Sequence, residues 1–525
     1  MQLVHQYILD SALRHPGQSA IICDDVWLSY AEFNAKINAL AEMFIVEGLR
    51  KGDRVLVLLS DKIDFLVSAY AVARAGGIAV PLFELPPLET IRSIAADCAP
   101  RILVASQKDL AQYPLLWDNL SCHIFLIEQA TRSPLHRVLV SQPEHHTLKA
   151  EGTDRITMLM ELTGDDGALL FYTANLDGRL RGALFTHRNL IQSTLRVNAL
   201  TKADASLREC VTLPLTQSMG FGRARSVFFA GGTVILRNGR SAIGPLFETA
   251  LNHRANGLSL APELFSALME QAPGLARRAG AEMEFVEMGT ASLPLAERQL
   301  LMEVFPRARI YLQYGLTEAP RSVITELRLD VKKPESIGRA LPDTAIGVID
   351  EAGVPLPAGK PGEITISGDH LFARYWSGES SYQFTRNAQR WFRTNDLGVL
   401  DKEGYLRVLA RKEEIINMSG LKISPMEVEE KIHEAYPGLE ICVVGIPDPA
   451  GIVGEIPVLC YVAQEGMPMI SSELSTALSS RLDRNKIPRI VFRMEGFPRI
   501  DNKIERQKLR RQILTGVSQP LIPVE

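Results

Sequence analysis

A threonine and a glutamate follow an apolar run in the middle of the chain. Residues 310–312 favour a strand, and Thr317 and Glu318 come shortly after it. Ligands of α/β folds often bind where strands end, and a carboxylate there suits Mg²⁺, a hard ion that prefers oxygen ligands. The pair therefore predicts a metal-binding position, with a local helix cap as the alternative interpretation.

A second segment, residues 169–190, favours a strand, a turn-rich loop, another strand and the start of a helix. Its hydroxyls, glycines and arginines, among them Thr173 and Arg181, suit a polyphosphate. Thr186 is placed to cap the helix that follows. A surface loop with scattered arginines is the alternative.

Two further segments carry isolated polar groups. Asp396, within residues 391–398, is suited to ribose hydroxyls, as acidic residues are in dinucleotide sites, although the local sequence is also typical of a turn. Lys503 lies in a polar segment near the C-terminus, where a solvated side chain is the alternative. The chain contains neither the P-loop pattern nor a complete G-x-G-x-x-G, so the common nucleotide motifs identify no cofactor.

The elements that must position these groups change in type along the chain. Apolar runs in the first part alternate with helical patterns, which predicts parallel β-α-β units. After about residue 340 the strands become short and rich in turns, which indicates an antiparallel region. Beyond a charged cluster at 411–414, the pattern predicts a small α+β segment with helices at 425–435 and near 472–481. The predicted runs of the first part are 54–59, 65–75, 78–82, 101–105, 123–127, 233–236 and 285–288.

Composition limits the class of protein. The chain has 525 residues and a net charge of −4, with a sequence pI of about 6.3. It lacks the basic stripe that is usual in nucleic-acid-binding proteins, and no stretch reaches the ~20 apolar residues of a membrane span. The six cysteines are scattered, which argues against a disulfide framework or a zinc site. We therefore expect a cytoplasmic protein that binds no nucleic acid and has no membrane span.

Taken in order, the four segments resemble the adenylate-forming (AMP-binding) superfamily of acyl-CoA synthetases, adenylation domains and luciferases. Further similarity at 28–32, 362–364 and 419–429 extends the resemblance from residue 28 to Lys503. The resemblance leaves open whether the chain belongs to an amide-ligase branch of this superfamily, which has coronafacate-ligase-like members. The resemblance implies a mixed α/β and α+β fold. A large N-terminal domain, residues 1–410, has two parallel-type sheet lobes and a small β-barrel, and a small mobile α+β domain, residues 411–525, carries the catalytic lysine.

The resemblance also implies roles for individual residues. Lys503, Thr317 and Glu318 are expected to be catalytic, with Glu318 as the Mg²⁺ ligand, and Glu413 falls at the hinge position. The residues expected to bind ATP are Thr173, Arg181, Thr186, Gly289, Thr290, Ala291, Tyr314, Asp396 and Arg411. The residues expected to line the acid pocket are Gln217, Ser218, Met219, Phe221, Gln313 and Arg321.

The sequence departs from the family pattern in the phosphate loop. Residues 174–178 replace the usual Ser-Gly-Thr-Thr-Gly, and Asp177 adds a negative charge where the triphosphate is expected. Arg179 and Arg181 are the candidates to compensate. Gln217 stands where acyl-CoA synthetases often carry histidine, and no aspartate matches the one that holds an α-amino group. The acid is therefore expected to lack an α-ammonium, as cyclic, aryl and short acyl acids do.

The expected reaction uses ATP and Mg²⁺ to convert a small carboxylic acid into its acyl-adenylate, with release of pyrophosphate. The acyl group then passes to a thiol, either CoA or the phosphopantetheine of a carrier protein. One alternative is an amide ligase whose acceptor is an amine such as an amino acid. Another is a catalytically degenerate relative, which the unusual phosphate loop favours and the retained Lys503, Glu318, Asp396 and Arg411 oppose.

Overall fold

The computed structural model describes most of the chain. The described residues are 3–82, 86–113, 122–127, 161–174, 180–239, 243–289, 293, 295–330, 332–333, 335–378, 382–419, 421–436, 438–449, 452–462, 477–478, 481–488, 490–500, 503–516 and 520–523.

The first sheet has nine strands and a parallel centre. Parallel pairing runs through its middle, and antiparallel strands lie at both edges. In spatial order, the strands are Arg339–Ala340, Val323–Glu326, Arg309–Tyr314, Phe285–Met288, Gly257–Leu260, Arg208–Val211, Thr233–Leu236, Ser19–Cys23 and Val26–Ser29.

The second sheet has seven strands. Its strands Ile78–Pro81 and Ile102–Ala105 are buried along their whole length, as uninterrupted apolar runs predict for strands covered on both faces. An antiparallel hairpin, Gly167–Ala174 with Leu180–Thr186, joins the parallel part through Ile78–Pro81. In spatial order, the strands are Arg374–Tyr375, Leu180–Thr186, Gly167–Ala174, Ile78–Pro81, Arg54–Leu58, Ile102–Ala105 and His123–Leu126.

The third sheet is antiparallel, and it lies in the part of the chain where short, turn-rich strands were predicted. Its central strand, Gln389–Leu400, pairs with three others and carries Asp396. The five strands are Thr344–Ile349, Gly362–Gly368, Gln389–Leu400, Gln383–Arg386 and Leu406–Arg411.

Helices cover both large sheets, and several begin at side-chain caps. Ser29 and Thr186 each form a capping box with the residue three positions later, Glu32 and Asn189. The α-helices are Gln6–Arg14, Tyr30–Val46, Lys62–Arg74, Leu88–Cys98, Gln107–Leu110, His187–Thr201, Ser218–Ala230, Ile243–Asn252, Pro262–Gln271, Pro273–Glu282, Leu295–Val304, Pro425–Ala435 and Arg506–Leu514. In the described part of the chain, none is long and apolar enough to cross a membrane.

The C-terminal part forms its own small α+β unit. Two apolar clusters consist of residues between 416 and 513, and the helix Pro425–Ala435 has the predicted bounds. The helix predicted near 472–481 lies mostly outside the described residues. The sheet here consists of Glu440–Pro447, Glu455–Val462, Ile490–Met494 and Pro520–Pro523, and short strands pair Ile416–Met418 with Leu421–Ile423 and Arg499–Ile500 with Lys503–Ile504. The domain boundary at 410/411 stays a prediction.

Candidate active site

Glu318 lies where the first and second sheets meet. It is buried in the turn after strand Arg309–Tyr314. The Tyr375 hydroxyl donates a hydrogen bond of 2.8 Å to Glu318 Oε1, and Thr173 Oγ1 lies 3.5 Å from the same oxygen. Burial raises the pKa of the Tyr375 phenol and the adjacent Glu318 carboxylate raises it further, so the phenol stays a donor. Thr173 and Glu318, predicted from segments far apart in sequence, are therefore neighbours.

Arg181 lies opposite Thr173 in the hairpin of the second sheet. Its guanidinium carbon is 4.9 Å from the centre of the Tyr382 ring and 5.6 Å from that of Tyr375. Cation–π contact of this kind holds the positive charge close to Glu318. The two tyrosines were not found by sequence reasoning, because nothing in their local pattern relates them to residue 318.

Asp396 is held between two partners on different strands. It lies opposite Arg411 in the third sheet, and Arg411 Nε is 2.9 Å from Asp396 Oδ1. The Tyr314 hydroxyl donates a bond of 2.7 Å to Oδ2. Burial raises the pKa of Asp396, and Arg411 and the Tyr314 hydroxyl act in the opposite direction. Because residue 396 lies within a strand, the turn interpretation is wrong.

Part of the predicted acid pocket comes together beside the helix Ser218–Ala230. Arg321 is buried with a backbone φ of 51°, and its Nη1 donates to Ser226 Oγ at 3.2 Å. A side chain at residue 222 would meet Arg321, since a Cβ there would lie 2.3 Å from Nη2. Ser218 is one turn earlier than Gly222, on the same side of the helix, and Gln217 occupies the N-cap position.

Gln313 and Gly289 lie side by side at the ends of neighbouring strands. A Cβ on residue 289 would lie 2.5 Å from Gln313 Cγ, so only glycine leaves the Gln313 side chain this room. Thr317 is half-buried, and it immediately precedes Glu318 in the turn that follows Tyr314. The strand end, its turn and the helix Ser218–Ala230 thus bring nucleotide-site and acid-site candidates close together.

Three predicted site residues lie elsewhere. Phe221 stacks on Tyr70, with ring centres 5.6 Å apart, in the aromatic core. Met219 packs against the same core. Thr186 caps the helix His187–Thr201 and is five residues from Arg181 along a strand, a distance of ~16 Å. The structure therefore gives these residues structural contacts, and a ligand role for them stays untested.

The remaining candidates are described only in part. Thr290, Ala291 and the phosphate loop at 175–179 lie outside the described residues. For Lys503 the structure describes the backbone alone, in strand Lys503–Ile504. Glu413 is exposed in a 3₁₀ helix, Lys412–Glu414, and its carbonyl accepts a bond of 3.2 Å from Gln507 Nε2.

A family model described as "AMP-binding enzyme" matches residues 8–376. The chain belongs to this family. It is therefore an ATP-dependent, AMP-forming acid ligase, which confirms the superfamily inferred from the motifs. Membership in its amide-ligase branch stays a prediction.

Relatives of this AMP-binding enzyme align over nearly its full length. A feruloyl-CoA synthase of Amycolatopsis sp is 29% identical over 513 residues, 96% of both chains. An indoleacetate–CoA ligase of Aromatoleum aromaticum is 26% identical over 95% of this chain and 96% of the relative. The structure of ATP-bound MatB from Rhodopseudomonas palustris superposes with a TM-score of 0.83 and 24% identity, over 98% of this chain and 99% of that one. This likeness confirms the expected fold class.

Proposed function

We propose that this enzyme activates a carboxylic acid without an α-ammonium as its acyl-adenylate and then transfers the acyl group to the thiol of CoA. One observation carries the first step. Tyr314 and Glu318 belong to a single strand end and turn, and they contact Asp396 and Thr173 respectively. A carboxylate suited to ribose and a carboxylate suited to a metal are therefore linked through one short segment, and the charge of Glu318 contributes to raising the pKa of Asp396.

Activation joins two anions, the substrate carboxylate and ATP. A carboxylate oxygen forms a bond to the α-phosphorus, the bond from that phosphorus to the bridging oxygen breaks, and pyrophosphate leaves with the electron pair. Positive groups aimed at the phosphates lower the barrier by stabilising the charge that develops there. Arg181, held over two tyrosine rings beside Glu318, and Lys503 are the residues proposed for this role.

The residues around Glu318 fit Mg²⁺. Its carboxylate offers the hard oxygen ligand that this ion prefers, and Mg²⁺ in nucleotide sites usually takes one or two carboxylates together with substrate phosphates. Among the described residues, no three His, Cys, Asp or Glu side chains cluster as a metal site, which agrees with a metal held largely by phosphate. Bound Mg²⁺ would neutralise phosphate charge, while Tyr375 and Thr173 orient Glu318.

Transfer to CoA is supported by the relatives. Those that align with almost the whole chain are a feruloyl-CoA synthase and an indoleacetate–CoA ligase. In this step the thiolate sulfur forms a bond to the acyl carbon, the bond from that carbon to the phosphate oxygen breaks, and AMP leaves. The thiol proton passes to solvent or to AMP.

Pyrophosphate exchange into ATP tests the proposal across a panel of aryl, cyclic and short acyl acids. We expect acid-dependent exchange, and a thioester when CoA is added. Product analysis without CoA, but with amino acids or other amines, tests the acceptor. If the enzyme forms an amide faster than free adenylate reacts with the same amine, the acyl acceptor is an amine. The assignment of a thiol acceptor would then be wrong. Absence of exchange with every acid would contradict the activation step.

A further inference from the structure

We call residues 368–376 the bracing segment, because they contact the turn that carries Glu318. The N–H group of Phe372 donates a hydrogen bond of 2.9 Å to the carbonyl oxygen of Glu318. The Tyr375 hydroxyl donates to the carboxylate of the same residue. Glu318 is therefore held by this segment at its main chain and at its side chain.

A third contact joins the bracing segment to the end of the turn. His370 and Ser322 are both fully buried, and His370 Nε2 lies 2.7 Å from Ser322 Oγ. The Ser322 hydroxyl donates its single hydrogen to the carbonyl of Ala319 at 3.0 Å, which leaves its oxygen to accept a bond from His370 Nε2–H. Through one hydroxyl, the imidazole thus reaches the carbonyl of the residue directly after Glu318.

The surroundings of His370 keep its ring neutral. Burial lowers the pKa of His370 well below its ordinary value, and the positive charges of Arg196 and Arg390 lower it further. Nδ1 is buried and has no hydrogen-bond partner among the residues that the structure describes. A proton on Nδ1 would be a buried donor without an acceptor, which costs free energy. The form that remains is the neutral ring with its hydrogen on Nε2.

The bracing segment is itself anchored on the second sheet and its neighbouring helix. The Ala373 N–H donates to the carbonyl of Leu184 at 2.7 Å, and Asn189 Nδ2 donates to the carbonyl of Asp369 at 2.9 Å. The turn at 315–322, by contrast, connects two strands of the first sheet. The histidine therefore ties a turn of one sheet to a support on the other.

The turn depends on this support at its closing bond. Thr317 and Glu318 lie at its tip, between two reciprocal backbone bonds of 3.2 Å that join Leu316 and Ala319. The Ala319 carbonyl accepts both the Leu316 N–H and the Ser322 hydroxyl. A shift of Ser322 would therefore move the closing bond and, with it, the direction of the Glu318 side chain.

We propose that His370 is a positioning residue for acid activation, which holds Ser322 and thereby the Ala319 carbonyl so that the Glu318 carboxylate is oriented for Mg²⁺. This inference rests on the proposed metal role of Glu318. Groups that are oriented in advance stabilise developing charge without rearranging during the reaction. Loss of the His370 contact should therefore weaken metal use and slow adenylation, while binding of the acid is retained.

His370→Gln and His370→Asn are a matched pair of neutral amides. The glutamine nitrogen can take the place of Nε2 and donate to Ser322, whereas the asparagine amide is one methylene shorter and reaches only the place of Nδ1. His370→Asn should lower kcat of pyrophosphate exchange about two- to tenfold, the range for one buried hydrogen bond, with KM for the acid unchanged. His370→Gln should recover most of this loss.

Equilibrium dialysis of ATP without acid supplies a measurement that does not depend on turnover. The quantity compared is the ratio of the Kd for ATP in EDTA to that in Mg²⁺, which reports how strongly the protein couples metal and nucleotide. Glu318→Gln should lower this ratio, and His370→Asn and Ser322→Ala should each lower it by a smaller factor. The double variant should lose no more than either single variant, because both remove the same contact.

His187→Ala is the control for a general loss of stability. His187 is also fully buried, and its Nδ1 accepts a bond of 3.1 Å from the Val4 N–H. This variant should lower the free energy of unfolding while kcat and the ATP ratio stay unchanged. If His370→Asn fails to fold, Ser322→Ala, which removes a single oxygen atom, decides the question.

The inference would be overturned by unchanged kcat and ATP ratio in both His370→Asn and Ser322→Ala. Equal losses in His370→Asn and His370→Gln would also overturn it, because only the glutamine keeps the donor. An unchanged ratio in Glu318→Gln would instead contradict the metal role on which the inference rests. Absence of exchange with every acid in the wild type would contradict the proposed activation itself.

Discussion

The carboxylate of Asp396 receives one contact on each oxygen, from the Tyr314 hydroxyl and the Arg411 guanidinium. An ionised carboxylate has roughly four acceptor positions, so both oxygens keep capacity for further hydroxyl donors. The two partners also fix the orientation of the side chain before any ligand binds. A preoriented acceptor of this kind suits the paired hydroxyls of a ribose.

Asp396→Asn should raise KM for ATP about tenfold, with a smaller change in kcat, because a neutral amide is a weaker acceptor for the ribose hydroxyls. The measurement is the ATP dependence of pyrophosphate exchange at saturating acid. Asp25→Asn, at an exposed carboxylate, is the control and should leave KM unchanged. An unaltered KM in Asp396→Asn would show that the nucleotide binds elsewhere.

At the scale of elements, the two ends of the hairpin formed by Gly167–Ala174 and Leu180–Thr186 have different roles. One end presents Thr173 and Arg181 beside Glu318. At the other end, Thr186 forms the capping box of the helix His187–Thr201. The same strand, Leu180–Thr186, thus links a candidate phosphate site to a helix start. Its polar residues contribute to different functions although they are close in sequence.

Thr186→Ala should lower the free energy of unfolding by about 1 kcal/mol through loss of the cap while KM for ATP stays constant. Ser29→Ala removes the capping box of Tyr30–Val46 and is the matched comparison outside the site. Denaturant unfolding and exchange kinetics would be measured on both variants. A large rise in KM for Thr186→Ala alone would assign Thr186 to nucleotide binding.

The segment around Glu413 is the predicted hinge element. Since Glu413 lies in the first turn of a 3₁₀ helix, proline fits the observed conformation but fixes φ at about −65°. Glu413→Pro should therefore retain adenylation and lose acyl transfer. Glu413→Ala, which removes the carboxylate and leaves rotation free, should retain both steps. Normal rates of both half-reactions in the proline variant would place the hinge at another residue.

At the scale of the whole molecule, the lysine segment and the hinge segment contact each other through one helix. Helix Arg506–Leu514 begins just after Lys503. Its first residue forms ion pairs with Glu429 at 2.5 Å and with Glu414 at 3.4 Å, and Gln507 binds the carbonyl of Glu413. Glu429 belongs to the same C-terminal unit as Arg506, so of these contacts those to residues 413 and 414 are the ones that reach the hinge segment. The predicted hinge and the predicted catalytic lysine are therefore mechanically linked.

Lys503→Ala should abolish adenylate formation, because the lysine charge is needed mainly in that transition state. Acyl transfer from a supplied acyl-adenylate should be largely preserved. Lys508→Ala, at an exposed lysine of the following helix, is the control and should retain both activities. Comparable loss of both half-reactions in Lys503→Ala would contradict the hypothesis that one arrangement of the C-terminal domain catalyses adenylation and another catalyses acyl transfer.

The sequence by itself determined the local elements and the family. Apolar runs predicted the buried strands Thr233–Leu236 and Phe285–Met288, and a proline-led polar pattern predicted the helix Pro425–Ala435. These features depend on side-chain periodicity and caps, which nearby residues specify. The order of the motifs likewise needs no coordinates, and it identified the adenylate-forming superfamily.

Tertiary structure alone decided which side chains meet. It joined Tyr375 to Glu318 and Tyr314 to Asp396, and it turned Phe221 into the aromatic core. It also joined His370 to Ser322. The physical reason is that such contacts depend on strand register and on which face of a helix is buried. Those quantities are set by packing between segments that are far apart in the chain.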